Sequence, residues 1–340
     1  MPEATLSPRL AAYTAAAPTP EYLVPYVLAM GGGTPCPCGE GIGYRRDGRL
    51  VLAVCPSAGT PGGTSDETTG ETHGETENPA RLAAVAASVN ESVERALTLP
   101  GVERITVLAP CRPAAAPHDA VSSTDHYWGL PLPVRPPAGR AGQKWRNTLL
   151  RAQRDVTLES SDPAAPGTDA SPFREHTRKN NRENERITGP KIHLGAEQWT
   201  REHGELVESF LRSRPLGPGS ATLFRRIGAY LEAVPDALLF SARSASGRLE
   251  GLCVGDCSAL STAFYLFAFR RPDSPPGTAD LLLSALAETA TARGHSRLNL
   301  GLGINPGIAF FKRKWGATPI LPHVETSWTP ARAPWWRKWF

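Results

Sequence analysis

The sequence predicts an α/β protein, a mixed and mostly antiparallel sheet with flanking helices. Three observations predict it. Segments of strand character alternate with segments of helical spacing, the pattern of a sheet covered by helices. The chain has 340 residues, 40% of them hydrophobic, so two domains are expected, each able to bury a core. Its 33 prolines and 32 glycines are concentrated in a few stretches that separate those segments.

In chain order, "GRLVLAVCP" (Gly48 to Pro56) reads as a strand with a turn before it, and Pro79 to Pro100 as a helix bounded by prolines. "VERITVLAP" (Val102 to Pro110) is a second strand. "HYWGLPLPV" is a possible edge strand, because prolines interrupt it. Gln143 to Glu159 reads as a helix with Trp145, Leu149, Ala152 and Val156 at helical spacing. Lys144, Arg146, Arg151 and Arg154 make it basic. Helices are expected over about Trp199–Arg212 and Ala221–Val234. Ala237 to Asp256 is a hairpin turning on Ser-Ala-Ser-Gly. "STAFYLFAFRR" (Ser261 to Arg271) is apolar on both faces, like a central strand. A helix follows from Thr278, its expected cap, to about Arg293, with Gly294 just past its end. After it come the strand "RLNLGLG", a helix from Gly307 to Trp315, and closing strands in "ATPILPHVETSW".

Two segments lack the apolar residues to fold. Gly59 to Pro79 holds five acidic residues and neither Lys nor Arg; Ser160 to Pro190 is the second. The expected division is therefore 1–158 with an acidic loop at 59–79, a linker at 159–190, a domain at 191–328 and a tail at 329–340.

The net charge of +4 permits anionic partners without demanding nucleic acid. "YLVPYVLAM" is too short to span a bilayer, and the N-terminus lacks the order of a secretion signal, so a cytoplasmic location is expected. Six cysteines in a chain of this length suggest a reduced compartment. Cys36 and Cys38 in "TPCPCGEG", with Cys55, make an incomplete zinc set; free thiols in a Pro/Gly turn are the simpler reading, and no metal is expected. Cys253 and Cys257 read as small hydrophobes. The tail "PARAPWWRKWF" sets Trp335, Trp336, Trp339 and Phe340 beside Arg332, Arg337 and Lys338. It suits docking on the protein itself or a partner, a membrane surface, or stacking with RNA.

In "RLNLGLG", Leu298, Leu300 and Leu302 share one face, and Asn299, Gly301 and Gly303 the other. The second face is stripped either for a ligand or for a neighbouring helix. In the next helix Ile308, Phe311 and Trp315 fall on one arc, and Lys312 falls within it. Its ammonium either snorkels to water or needs a buried acceptor.

From about Lys191 to Trp328 the sequence resembles the GNAT acyltransferase superfamily. "STAFYLFAFRR" is similar to the family's fourth strand. Gly277-Thr278-Ala279 partly matches its donor-binding turn, Gln/Arg-x-x-Gly-x-Gly/Ala. Asn305, Lys314 and Gly316 match its last motif. Ser274 stands where the family has Gln or Arg, with Arg270 and Arg271 shifted upstream. Asp280 puts a negative charge in the helix's first turn, which disfavours a diphosphate there. Lys312 occupies the place of a tyrosine acid. The Phe311-Lys312 pair resembles instead the Fem-type, FemAB-like branch, peptidoglycan-bridge aminoacyltransferases and related acetyltransferases. "KWRNTLLRA" (Lys144 to Ala152) is similar to that branch's K-x-RN-x-x-x-RA helix.

The resemblance implies two GNAT-like halves and transfer of an acyl or aminoacyl group to a small-molecule or peptide amine. The donor implied is acyl-CoA, such as acetyl-CoA, or an aminoacyl-tRNA. The basic stretch from Arg174 to Lys191 is compatible with an RNA donor. The donor carbonyl is expected along "NLGLG", bound by backbone N–H groups, with Lys312 stabilising the oxyanion. Donor-binding candidates are Arg270, Arg271, Gly277, Thr278, Ala279, Asn299, Gly301, Asn305 and Phe311. Tyr265 and Asp256 are candidate bases, each of which also reads as a satisfied structural residue. The rival reading is a non-catalytic binding module that keeps the fold.

Overall fold

The computed structural model describes residues 6–55, 79–136, 139–161, 192–194, 198–214 and 217–330. Nearly all of the acidic loop and of the linker, the basic stretch up to Lys191, and the Trp-rich tail from 331 onward lie outside the described residues. The chain divides into two compact units. Unit 1 comprises Met1–Leu10, Gly32–His126 and Leu321–Phe340, and unit 2 comprises Ala11–Gly31 and Tyr127–Ile320.

In unit 1 the strands β1 (Thr34–Cys38), β2 (Gly41–Arg46), β3 (Arg49–Ala53), β4 (Arg104–Ala109) and β12 (Thr318–Trp328, from Leu321) lie side by side in the order β1-β2-β3-β4-β12. Only β3 and β4 run parallel. The connection between them carries helix α3 (Pro79–Leu97), whose Val89, Val93 and Ala96 repeat at helical spacing. They bury against Leu50, Leu52, Ile105, Val107 and Trp328. "TPCPC" is a strand, not the expected turn. Cys36 lies opposite Gly43 on β2, and the missing Cβ there leaves room for the Cys36 sulfur, which sits 2.8 Å from where a Cβ would stand. A hydrogen bond from Cys38 lowers the Cys36 thiol to about 7, against the opposing effect of burial and with help from Arg45; the Cys38 thiol is pushed up in turn. Iodoacetamide is therefore expected to label Cys36 with a midpoint near pH 7, well below the roughly 8.5 of an ordinary thiol. Labelling rates against pH, read by mass spectrometry, check this; an ordinary midpoint would refute it.

Unit 2 holds the more regular sheet. Its strands are β5 (Val121–Pro131, from Tyr127), β6 (Val156–Ser160), β7 (Ile192–Leu194), β8 (Ala237–Ser244), β9 (Leu249–Asp256), β10 (Thr262–Arg270) and β11 (Arg297–Leu302). Their order is β5-β11-β10-β9-β8-β6-β7, with β10/β11 and β6/β7 parallel and the rest antiparallel. The expected mixed, mostly antiparallel sheet is thus the one observed. One face is covered by α4 (Gly139–Asp155), α8 (Thr278–Ala292) and α9 (Pro306–Lys314), around Trp145, Leu149, Leu282, Leu298 and Trp315. On the other face α2 (Val24–Ala29), α5 (Arg201–Ser213), α6 (Pro218–Phe224) and α7 (Ile227–Ala233) bury Met30, Leu206, Ile227, Tyr230, Val254 and Phe267. Alternation along β9 sorts these side chains, Cys253 to the first face and Leu252 and Val254 to the second.

Several expectations need correcting. The units do not part at 159–190, because Trp145, Leu149 and Ala152 of α4 share one buried cluster with α8. The helix expected to reach Glu159 ends at Asp155, where the β-branched Val156 and Thr157 begin β6. The expected helix over Ala221–Val234 is two, broken at Arg225–Arg226. Gly277, with φ of 93°, caps α8, and Thr278 is its first residue. Helix α9 starts one residue earlier than expected, at Pro306, and ends at Lys314. Among the described residues no helix is long and apolar enough to cross a membrane.

Candidate active site

The site grows from an interruption in the unit 2 sheet. β10 and β11 pair through Thr262↔Arg297, Ala263↔Leu298 and Phe264↔Asn299, and there the pairing stops although both strands run on. Just beyond it, β10 is irregular against β9 between Tyr265 and Phe267, and β11 is irregular against β5 between Asn299 and Leu302. Irregularities of this kind bend and twist a strand away from its neighbour. The two strands part at the residues where chemistry was expected.

The end of β11 differs from the bare strip predicted. Asn299 is buried; its Nδ2 donates to Pro18 O at 2.9 Å and its Oδ1 accepts the Gly301 N–H at 2.7 Å. The Gly301 N–H is therefore engaged and does not bind a donor carbonyl in this state. No atom lies within 4 Å of a Cβ built on Gly301, so a neighbouring helix does not explain the glycine; its φ of 75° does.

Helix α9 is preceded by Asn305, whose side chain accepts the Ile308 N–H at 3.0 Å, with Pro306 in the first turn. Asn305 is thus a helix cap. Phe311 is partly buried against the core cluster, while Phe310 is exposed. The Lys312 side chain does not snorkel. It is 4% exposed, and Nζ donates to the carbonyls of Gly301 at 2.9 Å and Leu302 at 2.5 Å. An ammonium inside a protein needs such acceptors, and these two lie where β11 leaves the sheet. Arg313 lies over the Trp128 ring, 5.7 Å from its centre.

Lys314 and Gly316 matched the family's last motif. Lys314 Nζ donates to Asp280 Oδ1 at 2.7 Å, and Trp315 Nε1 donates to the same oxygen at 2.9 Å. Asp280 is therefore a bridging acceptor between α8 and α9. The turn before α8 is closely covered: a Cβ on Gly277 would stand 2.9 Å from Thr148 O and 3.0 Å from the Ala152 Cβ, both on α4. Thr278 is buried with its hydroxyl donating to Pro275 O, and Ala279 is partly exposed. Arg270 donates to Ser274 Oγ and Arg271 O, and Arg271 Nε to Leu249 O.

The two candidate bases fall in different surroundings. Tyr265 is partly buried against the α8 cluster; burial raises its hydroxyl well above the ordinary range, with Cys253 and Asp280 adding to it. Asp256 is fully buried. Burial raises its carboxyl, which accepts hydrogen bonds from the Tyr230 hydroxyl and the Ser258 N–H. The structure groups Lys312 with Gly301 and, through the Gly301 N–H, Asn299; Asp256 sits with Tyr230 and Tyr26. A carboxylate missed in the sequence is Glu21. Its Oε2 accepts the Tyr127 hydroxyl at 2.9 Å, and Tyr127 is the register partner of Leu302.

No protein-family model and no curated protein sequence matches the chain. Solved structures match its fold. The C-terminal domain (DUF2156) of a predicted lysylphosphatidylglycerol synthetase from Agrobacterium fabrum aligns with a TM-score of 0.51 at 11% identity, over 94% of this chain and 90% of that one. FemX aligns with a TM-score of 0.49 at 10% identity, over 93% and 94%. A GCN5-related N-acetyltransferase from Kribbella flavida gives 0.45 at 12%, over 95% and 96%. At these identities the likeness is one of fold alone. The fold is the expected α/β one, and it is shared with the DUF2156 domain.

Proposed function

We propose that the chain is an N-acyltransferase that moves an acyl or aminoacyl group from an activated carboxyl, a thioester or an ester, to an amine. The observation that carries this reading is the buried Lys312 ammonium, held at the parting of β10 and β11. In this reading the amine nitrogen forms the new C–N bond, and the carbonyl oxygen gains negative charge beside Lys312. One such fixed donor contributes on the order of 3 kcal/mol. The C–O or C–S bond then breaks, and the proton lost by the amine passes to the departing oxygen or sulfur.

The standard place for a diphosphate does not fit this chain. Gly277 lies under α4 and Thr278 is turned inward. The rival, a non-catalytic module, is favoured by one observation: Lys312 is tied to two backbone carbonyls, as a purely structural lysine would be. The two readings part on turnover. Acyl-CoA thioesters and, separately, charged tRNA are incubated with the full chain and an amine pool, and donor loss with amide formation is followed. Amide formation with either donor supports transfer; none with both leaves the binding module.

A further inference from the structure

The basic helix singled out in the sequence has a second side. Trp145, Leu149 and Ala152 of α4 point into the core, while Arg140, Gln143, Lys144, Asn147, Thr148 and Arg151 line a groove of about 410 Å³ along the opposite side. These positions recur at i, i+3, i+4, i+7, i+8 and i+11, a single stripe. The stripe is about 16 Å long at 1.5 Å per residue. Among the described residues no carboxylate pairs with Arg140, Lys144 or Arg151. The polar groups between them are held in place: Gln143 Nε2 donates to Asn147 Oδ1 at 2.9 Å, and Thr148 Oγ1 to Lys144 O at 2.9 Å. Thr148 is shared, since it lines the groove and its carbonyl covers Gly277.

We propose that this groove binds phosphate esters, and that α4 supplies the anion recognition that the covered turn before α8 does not. Three like charges gathered on one wall repel one another unless an anion neutralises them, and the net charge of +4 over the whole chain gives no general reason for the concentration. Along the groove Arg140, Lys144 and Arg151 set three cations on one helix, with Gln143, Asn147 and Thr148 between them. The shared chemistry has two sources, the phosphates of a coenzyme thioester and the backbone of a single-stranded RNA. This deepens the transfer reading by placing the donor's phosphates, and its test reads binding without turnover.

The test uses the full chain, a fluorescein-labelled single-stranded RNA and, in a second arm, coenzyme A with inorganic pyrophosphate as competitor. Lys144→Glu with Arg151→Glu is compared with Arg201→Glu, a charge reversal at an exposed site on α5. At least one probe is expected to bind the parent chain, at least tenfold more weakly the double variant, and with near-parent affinity the control. If RNA is the ligand, its salt slope falls by about 1.4 in the double variant, two contacts at roughly 0.7 each. If the coenzyme is the source, pyrophosphate competes and RNA does not bind. Absence of binding by both probes, or equal loss in the control, overturns the proposal. A chain that binds through α4 yet makes no amide keeps the groove and removes only the transfer reaction.

Discussion

Lys312→Met is expected to lower amide formation by roughly a hundredfold or more, as loss of one oxyanion donor does. Methionine keeps the unbranched, buried stem and removes only the charge. The loss should fall on kcat, with KM little changed, because the interaction is made with charge that exists only at the transition state. The same substitution strips the Gly301 and Leu302 carbonyls of their donor, so a stability cost of about 1–3 kcal/mol is expected as well. Urea unfolding of the variant separates the two effects, since rates are compared where both chains are folded. Lys312→Arg is expected not to rescue, because a planar guanidinium does not fit a site shaped for a compact ammonium. A variant that unfolds more easily yet turns over normally would leave Lys312 as a tie between α9 and β11 and nothing more.

Much of unit 2 was legible because its elements carry local signals. Strand β10 reads as central from its unbroken apolar run, and Lys312 stood out because a charge fell on an apolar arc. Whether that charge reached water was not legible, since its acceptors are carbonyls, present in every residue and identified only by the path of the chain. The role of Asp280 was misread for a related reason. Its position in the first turn of α8 suggested repulsion of a diphosphate, whereas Lys314 and Trp315, over thirty residues away, hold the carboxylate. Glu21 left no signal. It lies in a Pro-rich segment without periodicity, and its partner Tyr127 is 106 residues distant. The Gly301 reading failed at the level of one hydrogen bond, because the side chain that binds its N–H belongs to Asn299, two residues before it.

Trp315→Ala is expected to cost about 3–5 kcal/mol of stability, the range for large aromatic side chains removed from a core. Trp315 is 1% exposed and meets Trp145 edge to face, with centroids 5.0 Å apart and planes at 84°. Its removal opens a cavity where α4 and α9 come together, the place where the structure joins the basic helix to the helix bearing Lys312. The indole N–H is a separate contribution, which Trp315→Phe isolates. Phenylalanine fills part of the volume but leaves Asp280 with one donor fewer, so a smaller loss is expected, on the order of 1–3 kcal/mol added to the packing deficit of the smaller ring. Both are measured as shifts in the urea midpoint at constant m. If Trp315→Phe is as stable as the parent, the Asp280 carboxylate is satisfied by Lys314 alone. If Trp315→Ala costs under about 1 kcal/mol, α9 is not anchored through this ring, and the burial of Lys312 must be maintained from β11 instead.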